Sequence, residues 1–324
     1  MTDPALRVAV GTLPPGVRRV ADYHFGWCDP DGNPASGASG KAIRPALALL
    51  TAVAGGGAWG PALPAAVAVE LVHNHSLLHD DVMDGDVVRR HRPTAWSVFG
   101  VGPAILAGDA LLALAFDLLA TSGSQRSQEA VHMLGVTTQR LLAGQMADVA
   151  FEARDDVSLE ECMTMARAKT GALMGCACAM GELLASGDRD RTEQVRAFGE
   201  RLGVAFQLVD DILGIWGEPA VTGKAAKSDL SRRKKSLPVV AALGAEAPEA
   251  GELARLYRGA DPFSVDQVNR ARRLVERSGG RAWSDAEADR QRTRSLEHLD
   301  AAGLRGPAAA ELHALAHLVT SRDR

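Results

Sequence analysis

Three aspartates lie within five residues at the end of an apolar segment, at Asp80, Asp81 and Asp84. Asp80 and Asp84 are four residues apart, so on a helix they share one face, with their β-carbons about 5–6 Å apart. Two like charges at this spacing repel each other unless they are solvated or share a cation. Mg²⁺ prefers oxygen ligands and usually takes one or two carboxylates. The apolar residues before the cluster favour a metal site over a solvated helix end.

A second pair of aspartates, Asp210 and Asp211, again follows an apolar helical segment, in "FQLVDDILGIWG". Phe206 and Gln207 precede Asp210 by about one helical turn and lie on a similar face. Each pair alone is compatible with a charged surface. Two helices that both end in paired aspartates are much more specific, because carboxylates from the two could hold several cations.

Basic residues accompany both aspartate clusters. Taken singly, each of them is more typical of a surface charge. Together with carboxylate-bound Mg²⁺, lysine and arginine are the side chains that bind phosphate oxygens. A cavity between apolar helices would accommodate a hydrocarbon, so the implied ligand is an apolar chain that carries a diphosphate. The basic residues in question are Lys41 and Arg44 in "GKAIRP", Arg89 and Arg90, Lys169 beside Thr170, Lys224 and Lys234.

The elements that must position these residues are predicted to be helices. The chain has 324 residues, of which 46% are hydrophobic and only 4% aromatic, so its core must consist mainly of Ala, Leu and Val. Apolar residues recur at helical spacing and the breaks between segments are short. We therefore predict a single all-α domain, 1–324, a bundle of about ten or more helices. The predicted helices are 41–54, 64–84, 103–121, 128–152, 158–186, 190–215, 236–244, 247–259, 264–278, 283–302 and 307–319, with a basic loop at 217–236.

The overall charge and the terminal sequence exclude several classes of protein. The net charge of −4 gives no general attraction to nucleic acid or to an anionic membrane. The start, "MTDPALRVAV", lacks the features of a signal peptide. We expect no apolar run that approaches the roughly 18 residues of a membrane span, and therefore a soluble cytoplasmic protein. The four cysteines form no CxxC pair and are expected to be buried thiols.

At this point the motifs resemble those of the trans-isoprenyl diphosphate synthases, and most resemble a bacterial geranylgeranyl diphosphate synthase. "HDDVMDGDVVRRHRPT" resembles the first aspartate-rich motif of that family, and "FQLVDDILGIWG" resembles the second. "GKAIRP", "AKTG" and "TGKAAKSDLSRRKKSLP" are similar to further family segments, in the same order. The resemblance implies helices around a deep central cavity, three Mg²⁺ ions with Mn²⁺ as a substitute, and a homodimer.

The resemblance also implies a role for each matching residue. Asp80 and Asp84 are expected to bind two Mg²⁺ ions with support from Asp81, and Asp210 a third. The allylic diphosphate would be bound by Arg89, Lys169, Lys224 and Lys234, with Thr170 beside them. Isopentenyl diphosphate would be bound by Lys41, Arg44, His73 and Arg90. Phe206 would pack near the isopentenyl unit, and Gln207 would lie beside the reacting end.

The reaction implied by the resemblance is chain elongation. The allylic diphosphate, derived from a dimethylallyl, geranyl or farnesyl group, ionises to an allylic cation. The double bond of isopentenyl diphosphate attacks this cation, and the departed diphosphate removes a proton. Metal ions and cationic side chains stabilise the charge that grows on the leaving group.

Two positions depart from the family pattern. The second motif would carry an aspartate at position 214, where this chain has Gly214. A glycine inside a helix costs about 1 kcal/mol, so the helix is expected to loosen or end there. His91 stands where many members carry glycine, and it adds a cation near the diphosphates.

The length of the product is expected to depend on His75 and Ser76, about one turn before Asp80. In the family a bulky aromatic residue at position 75 commonly forms a floor for the growing chain. His75 is smaller, which favours geranylgeranyl diphosphate (C20), with farnesyl (C15) and geranylfarnesyl (C25) diphosphate as alternatives. His75 could instead be an ordinary core histidine. Two other functions remain open: a terpene cyclase, which needs no isopentenyl site, and a non-catalytic subunit, which needs no aspartates.

Overall fold

The computed structural model describes residues 2–35, 40–217, 228–258 and 263–320, and almost all of its regular structure is helical. The α-helices are Thr2–Val10 (α1), Pro15–His24 (α2), Ile43–Ala54 (α3), Trp59–Met83 (α4), Ala95–Phe99 (α5), Val101–Ala120 (α6), Ser127–Glu152 (α7), Leu159–Ala166 (α8), Ala172–Ala185 (α9), Arg189–Trp216 (α10), Ser228–Ser231 (α11), Leu237–Leu243 (α12), Pro248–Tyr257 (α13), Val265–Arg277 (α14), Gly280–Ala301 (α15) and Pro307–Thr320 (α16). The predicted all-α fold is confirmed.

The helices that sequence periodicity did not predict lie mainly near the N-terminus: α1, α2, α5 and the short α11. Helix α4 also begins earlier than predicted, at Trp59, although the segment before position 65 contains two prolines. Pro61 falls in the first helical turn, where the backbone N–H has no partner within the helix. Only Pro64 removes a helical hydrogen bond, and the buried face that follows it compensates for this loss.

The predicted helix 158–186 is interrupted by a π-helical turn, Arg167–Gly171, between α8 and α9. Its start agrees with the prediction, because Ser158 and Glu161 form a capping box in which each side chain accepts from the backbone N–H of the other residue. π-helical turns within helices are frequent at functional sites. This one carries Lys169 and Thr170.

The chain divides into two compact units. One consists of Met1–Thr138, Leu173–Arg196 and Leu299–Leu312, and the other of Gln139–Ala172, Ala197–His298 and His313–Arg324. The first has a core of fully buried leucines that includes Leu47, Leu71 and Leu111. The second has two apolar clusters, around Leu208 and around Leu253. The assignment of 1–324 to a single domain stays a prediction.

A short hairpin follows the first aspartate cluster and is the only sheet in the described ranges. Its strands, Val88–Arg89 (β1) and Arg92–Pro93 (β2), pair antiparallel with Arg89 opposite Arg92. The two turn residues, Arg90 and His91, both have left-handed backbone angles, with φ of 51° and 61°. A two-residue hairpin turn of this kind normally takes Asn or Gly. The left-handed angle at His91 gives a physical reason for glycine at that position in the family.

Helix α6 corrects the expectation that no apolar segment approaches the length of a membrane span. By length and composition alone, Val101–Ala120 could cross a membrane. The buried core helix of a soluble protein passes the same test, and Leu111, Ala115 and Leu119 of α6 are fully buried. Together with the family to which the motifs point, this gives no indication of a membrane span.

Candidate active site

The first aspartate cluster lies at the C-terminal end of α4. The helix is held by fully buried residues such as Leu71 and Leu78, and it packs against α3 and α6. Asp80 and Asp84 are both half-buried. The backbone N–H of Asp84 donates to the carbonyl oxygen of Asp80 (2.8 Å), so the helical geometry continues to Asp84. The two carboxylates therefore leave the same helix face, as the sequence predicts.

Asp81 is 1% exposed and contacts the hairpin. Arg89 Nε donates to Asp81 Oδ1 at 2.6 Å. The other carboxylate oxygen, Oδ2, is buried without a hydrogen-bond partner. Burial raises the pKa of Asp81 to about 6, although the Arg89 guanidinium lowers it. Asp81 thus orients Arg89, and its support of the metal ions stays a prediction.

The structure brings together three of the residues predicted to bind isopentenyl diphosphate: Arg44, His73 and Arg90. Burial lowers the pKa of His73 well below its ordinary value, and the charges of Arg44 and Arg90 lower it further. The Nε of Arg44 is buried without a hydrogen-bond partner. Burial lowers the pKa of Arg44 while Glu70 raises it. Lys41 is exposed and lies two residues before α3.

Sequence reasoning missed three polar residues beside this cationic set. Glu70 and Asn74 are buried on α4, and Asn74 Nδ2 donates to Glu70 Oε1 at 3.2 Å. His24 Nε2 lies 3.2 Å from Asn74 Oδ1. Burial and then the charges of Arg90 and Arg89 lower the pKa of His24 to about 3. The only sequence signal was a glutamate and an asparagine four residues apart in an otherwise apolar helix.

In the second unit, two of the predicted allylic-site lysines share one carboxylate. Lys169 Nζ donates to Asp148 Oδ2 at 2.7 Å, and Lys234 Nζ lies 3.2 Å from the same oxygen. Burial raises the pKa of Asp148, but the two lysines outweigh it and the net shift is downward. Asp148, on α7, was not predicted. The sequence feature that could have identified Asp148 is its spacing from Gln145, because these two polar residues share the buried face of a helix.

Glycines at two helix crossings allow these contacts. A β-carbon on Gly144, one turn before Asp148, would lie 2.5 Å from the backbone nitrogen of Lys169. A β-carbon on Gly203 would lie 2.6 Å from the α-carbon of Gly171. Helices α7 and α10 therefore approach the π-helical turn more closely than any larger residue permits. This close approach brings Lys169 within hydrogen-bonding distance of Asp148.

A chain of hydrogen bonds links the π-helical turn to the second aspartate cluster. Thr170 Oγ1 donates to Gln207 Oε1, and Gln207 Nε2 donates to Asp211 Oδ1, both at 2.7 Å. The backbone N–H of Leu237 donates to Asp211 Oδ2 at 2.9 Å. Burial, and then the charge of Asp229, raise the pKa of Asp211 to about 7. Both oxygens of Asp211 are thus engaged within the protein.

The position of Gly214 differs from the sequence expectation in two ways. Helix α10 neither loosens nor ends at Gly214 but continues to Trp216. A β-carbon on Gly214 would also overlap the carboxylate of Asp229, which belongs to α11. The carboxylate of Asp229, from a later part of the chain, therefore lies beside the helix face on which Gly214 leaves no carboxylate. Sequence spacing within the motif could not reveal this contact.

The arrangement of donors fits divalent cations at Asp80, Asp84 and Asp210. Asp210 is exposed, and Asp80 and Asp84 are hard oxygen donors on one face of a helix end, as Mg²⁺ requires. Asp211 accepts one hydrogen bond at each of its two oxygens, from Gln207 and from the Leu237 backbone. Phe206, one turn before Asp210, is half-buried. Lys224 lies outside the described residues.

His75 and Ser76, the predicted chain-length residues, lie within α4. His75 is 3% exposed, and its ring lies 4.4 Å from that of His79, measured between centroids. Burial and then His79 lower the pKa of His75. Ser76 is half-buried, and its hydroxyl donates to the carbonyl oxygen of His73 at 2.8 Å. The structure thus makes His75 a packed residue next to α6.

Comparison with known proteins gives matches along nearly the whole chain. Residues 33–275 match the family model described as polyprenyl synthetase. The chain is 45% identical over 323 residues to a (2E,6E)-farnesyl diphosphate synthase of Mycobacterium tuberculosis, covering 99% of this chain and 90% of the relative. It is 43% identical over 321 residues to a geranylgeranyl diphosphate synthase of the same organism, covering 99% and 91%.

Solved structures give the same result. A polyprenyl synthetase from Streptomyces coelicolor A3(2) is 47% identical, with a TM-score of 0.93 over 98% of this chain and 96% of that one. A polyprenyl synthase from Caulobacter crescentus, complexed with calcium and isoprenyl diphosphate, is 26% identical, with a TM-score of 0.87 over 100% and 95%. These similarities extend over the segments that carry every residue of the candidate site.

Proposed function

The chain belongs to the polyprenyl synthetase family and is a chain-elongating trans-prenyltransferase, and we propose that it condenses isopentenyl diphosphate with an allylic diphosphate to give geranylgeranyl diphosphate. Dimethylallyl, geranyl and farnesyl diphosphate are the proposed allylic substrates. The class of reaction follows from the family. The substrates, the product and the residue roles below are our proposals.

The observation that carries the proposal is that buried carboxylates hold the cations of the allylic site before any substrate arrives. Asp148 holds Lys169 and Lys234, and Asp81 holds Arg89. A cation fixed in this way loses little conformational entropy when it binds a diphosphate oxygen. Fixed charges also stabilise a leaving group without reorganising during the reaction. We propose that Lys169, Lys234, Arg89 and Lys224 bind the allylic diphosphate.

Divalent metal use is consistent with family structures that contain calcium or magnesium. We propose that Asp80 and Asp84 hold two Mg²⁺ ions and Asp210 a third, with Mn²⁺ as a substitute. Bound Mg²⁺ would neutralise charge on the diphosphate oxygens and so favour cleavage of the carbon–oxygen bond. Asp81 and Asp211 serve a different purpose. Asp81 orients Arg89. Asp211 orients Gln207 and accepts from the backbone of Leu237.

Isopentenyl diphosphate is proposed to bind Lys41, Arg44, His73 and Arg90. The lowered pKa of His73 keeps its imidazole neutral at physiological pH, so it acts as a hydrogen-bonding group and not as a cation. The unpartnered Nε of Arg44 is a donor available to a phosphate oxygen. Phe206 is proposed to pack near the isopentenyl unit.

The residues of the chain assist the reaction by positioning and by excluding water. Cleavage of the allylic carbon–oxygen bond leaves the electron pair on the diphosphate, and the double bond of isopentenyl diphosphate then forms the new carbon–carbon bond. The departed diphosphate accepts the proton that is lost. Thr170 and Gln207, fixed by their hydrogen bonds, are proposed to lie beside the reacting end. A dry site protects the allylic cation from water.

The length of the product is proposed to depend on His75. Relatives of nearly equal identity are named for C15 and C20 products, so overall similarity does not decide between them. The buried position of His75 supports a floor formed by a side chain smaller than Phe or Tyr. Geranylgeranyl diphosphate is therefore the proposed main product, with farnesyl and geranylfarnesyl diphosphate as the alternatives.

The test is product analysis with labelled isopentenyl diphosphate and each allylic primer in turn. The expected main product is C20 from all three primers. A main product of C15 would overturn the assignment of length but not the reaction class. The variant His75→Ala should lengthen the product and His75→Trp should shorten it. An unchanged distribution in both variants would mean that another residue forms the floor.

Two further proposals concern the state of the protein in the cell. We expect a homodimer in the cytoplasm that acts on small diphosphates and not on nucleic acid. Analytical ultracentrifugation of the purified protein would test the dimer. A sedimentation coefficient typical of the monomer at all concentrations would contradict it.

A further inference from the structure

Two histidines and one aspartate converge between α4 and α6, and one of the histidines is His75, the proposed chain-length residue. His75 and His79 are four residues apart on α4, and Asp109 is on α6. The ligating atoms of the three side chains all lie within 4.8 Å of one another. His79 Nε2 is 3.5 Å from Asp109 Oδ1. Two donors about 2.0–2.1 Å from a tetrahedral metal are about 3.4 Å apart, so this pair already has the spacing of metal ligands.

His75 adds a second observation at this place. It is 3% exposed, and its Nδ1 is buried without a hydrogen bond of ordinary geometry among the described residues. Burial lowers the pKa of His75 and a backbone contact with Gly108 opposes this shift, but buried nitrogens in folded proteins normally have a well-formed hydrogen bond. The contacts of His79 with Ile105 and Asp109 would satisfy an ordinary core histidine. The weak contact of His75 leaves its Nδ1 available to a ligand.

A glycine of α6 at this crossing lets both imidazole rings approach the helix closely. A β-carbon on Gly108 would overlap His79 Nε2 and lie 3.4 Å from His75 Nδ1. His79 Nε2 and His75 Nδ1 therefore both lie next to Gly108, and a side chain at position 108 would come between them and α6. The side chain of Asp109 is 58% exposed, so the site opens to solvent on that side. Solvent can supply the fourth ligand of a metal at this site.

We propose that His75, His79 and Asp109 form a binding site for a divalent transition-metal ion such as Zn²⁺, separate from the aspartate-rich motifs. Imidazole nitrogens suit zinc and its neighbours, whereas Mg²⁺ prefers sites made only of oxygens. Histidines four residues apart on one helix face are a known zinc-binding arrangement. Binding through His79 Nε2 requires the neutral tautomer that carries its proton on Nδ1, so the contact between Nε2 and the carbonyl oxygen of Ile105 would be given up.

The experiment uses the purified full-length protein, freed of metal by a chelator and then returned to buffer with Mg²⁺ in large excess. The excess Mg²⁺ occupies the carboxylate sites, and Co²⁺ is added as a spectroscopic probe. We expect one Co²⁺ per chain, with the visible absorption of an imidazole-bound ion, and its displacement by Zn²⁺. Absence of Co²⁺ binding under these conditions would overturn the proposal.

Two variants and one matched control locate the site. Asp109→Asn and His79→Gln should weaken Co²⁺ binding by at least about tenfold, since even outer-shell changes cost that much. Asp117→Asn, which changes another exposed aspartate of α6, should bind as the wild type does. Equal binding by Asp109→Asn and the wild type would contradict the assignment. Because Asp109 is largely exposed, this variant tests the site even if His79→Gln does not fold.

Thermal unfolding provides a second readout that needs no enzymatic activity. A metal that binds only the folded state stabilises it by an amount that grows with the logarithm of the metal concentration divided by Kd. Zn²⁺ should raise the melting temperature of the wild type and of Asp117→Asn equally, and that of Asp109→Asn by less at the same Zn²⁺ concentration. The melting temperature of Asp109→Asn without metal should match that of the wild type. A Zn²⁺-induced rise as large in Asp109→Asn as in the wild type would place the ion elsewhere and overturn the proposal.

Discussion

The two aspartate-rich regions show the same paired carboxylates in two different settings. In the first region, Asp81 is bound by a cation, Arg89, which lies only eight residues away in a hairpin. In the second, Asp211 is bound by neutral donors, Gln207 and the Leu237 backbone, and another carboxylate lies nearby. Burial raises the pKa of both groups. The first region is built from adjacent sequence, whereas the second needs several separate segments.

The cations follow the same division. Arg89 and Arg90 come from the hairpin directly after the first aspartates. Lys169 and Lys234 come from segments far apart in sequence and meet at Asp148 on a third. Residues that are close in sequence can therefore be assigned to a site from their spacing. Residues from distant segments meet only where helices cross closely, which glycine permits. Variants in the two regions test this difference.

The largest effect is expected at Asp80 and Asp84, the proposed metal ligands of the first region. Asp80→Ala or Asp84→Ala should lower the turnover number about a thousandfold, the equivalent of roughly 4 kcal/mol of lost transition-state stabilisation. The fold should survive, because removal of one of two repelling carboxylates does not disturb the core. Steady-state kinetics and circular dichroism measure the two outcomes, with Asp117→Asn as the control. A near wild-type rate in saturating Mg²⁺ would disprove the assignment of the metal ligands.

Acid sensitivity is expected from the cationic setting of the first region. The pKa of His24 is lowered to about 3 from an ordinary value of 6.5. The neutral ring therefore stabilises the fold fully above pH 6.5, and this stability is lost as the pH falls toward 3. The loss is at most about 1.4 kcal/mol per pH unit. Denaturant unfolding at several pH values gives the free energy of unfolding as a function of pH. Between pH 6.5 and 3 this free energy should fall less steeply for His24→Asn than for the wild type. An identical slope would mean that His24 does not contribute.

Binding of isopentenyl diphosphate tests the cations at the start of α3. Lys41→Ala should raise the KM for isopentenyl diphosphate by about ten- to a hundredfold, because a charge-assisted contact contributes roughly 1.5–3 kcal/mol. The KM for the allylic substrate should be unchanged, and Arg18→Ala, which removes an exposed cation of α2, should alter neither. Arg44→Ala should have the same kinetic effect and also lower stability, because Arg44 is buried near Glu70. A selective effect on the allylic substrate would reverse the assignment of the two sites.

The carboxylate of Asp229 beside Gly214 tests how the second region is assembled. Gly214→Asp should destabilise the protein by about 1–3 kcal/mol, because the new side chain needs the space that Asp229 occupies. Asp229→Gly in the same chain should recover most of this loss. A double-mutant cycle measured by thermal unfolding gives the coupling between the two positions. Additive effects would show that the two side chains do not compete.

The smallest effect is expected in the hairpin turn of the first region. His91→Gly should stabilise the protein by about 1 kcal/mol, because glycine adopts the left-handed angle without steric cost. Gly85→Ala should have the opposite sign, since Gly85 also has a positive φ, of 65°. Thermal melting of the two variants measures both effects. Destabilisation by His91→Gly would mean that the imidazole makes a contact that outweighs the strain of the turn.

Much of the helical framework could be predicted because apolar residues recur at helical spacing along most of the chain. The predicted α7, 128–152, starts one residue later than the observed Ser127–Glu152 and ends at the same residue. The predicted start of α4 was wrong because a proline in the first turn of a helix suggests, from sequence alone, that the helix has not yet begun. The π-helical turn at Lys169 was missed because it arises from packing, with no signal in the periodicity.

In the first region, helix geometry alone predicts that Asp80 and Asp84 share one face, whereas the hairpin that carries Arg89 was not predicted. In the second region, spacing predicts only the contact of Gln207 with Asp211, four residues apart within α10. The other contacts follow from the tertiary structure: Asp148 holds two lysines, the Leu237 backbone donates to Asp211, and Asp229 occupies the space beside Gly214. They join residues from 15 to 86 positions apart, on different elements of the chain. The approach of these elements depends on glycine and on close packing, which spacing along the chain does not encode.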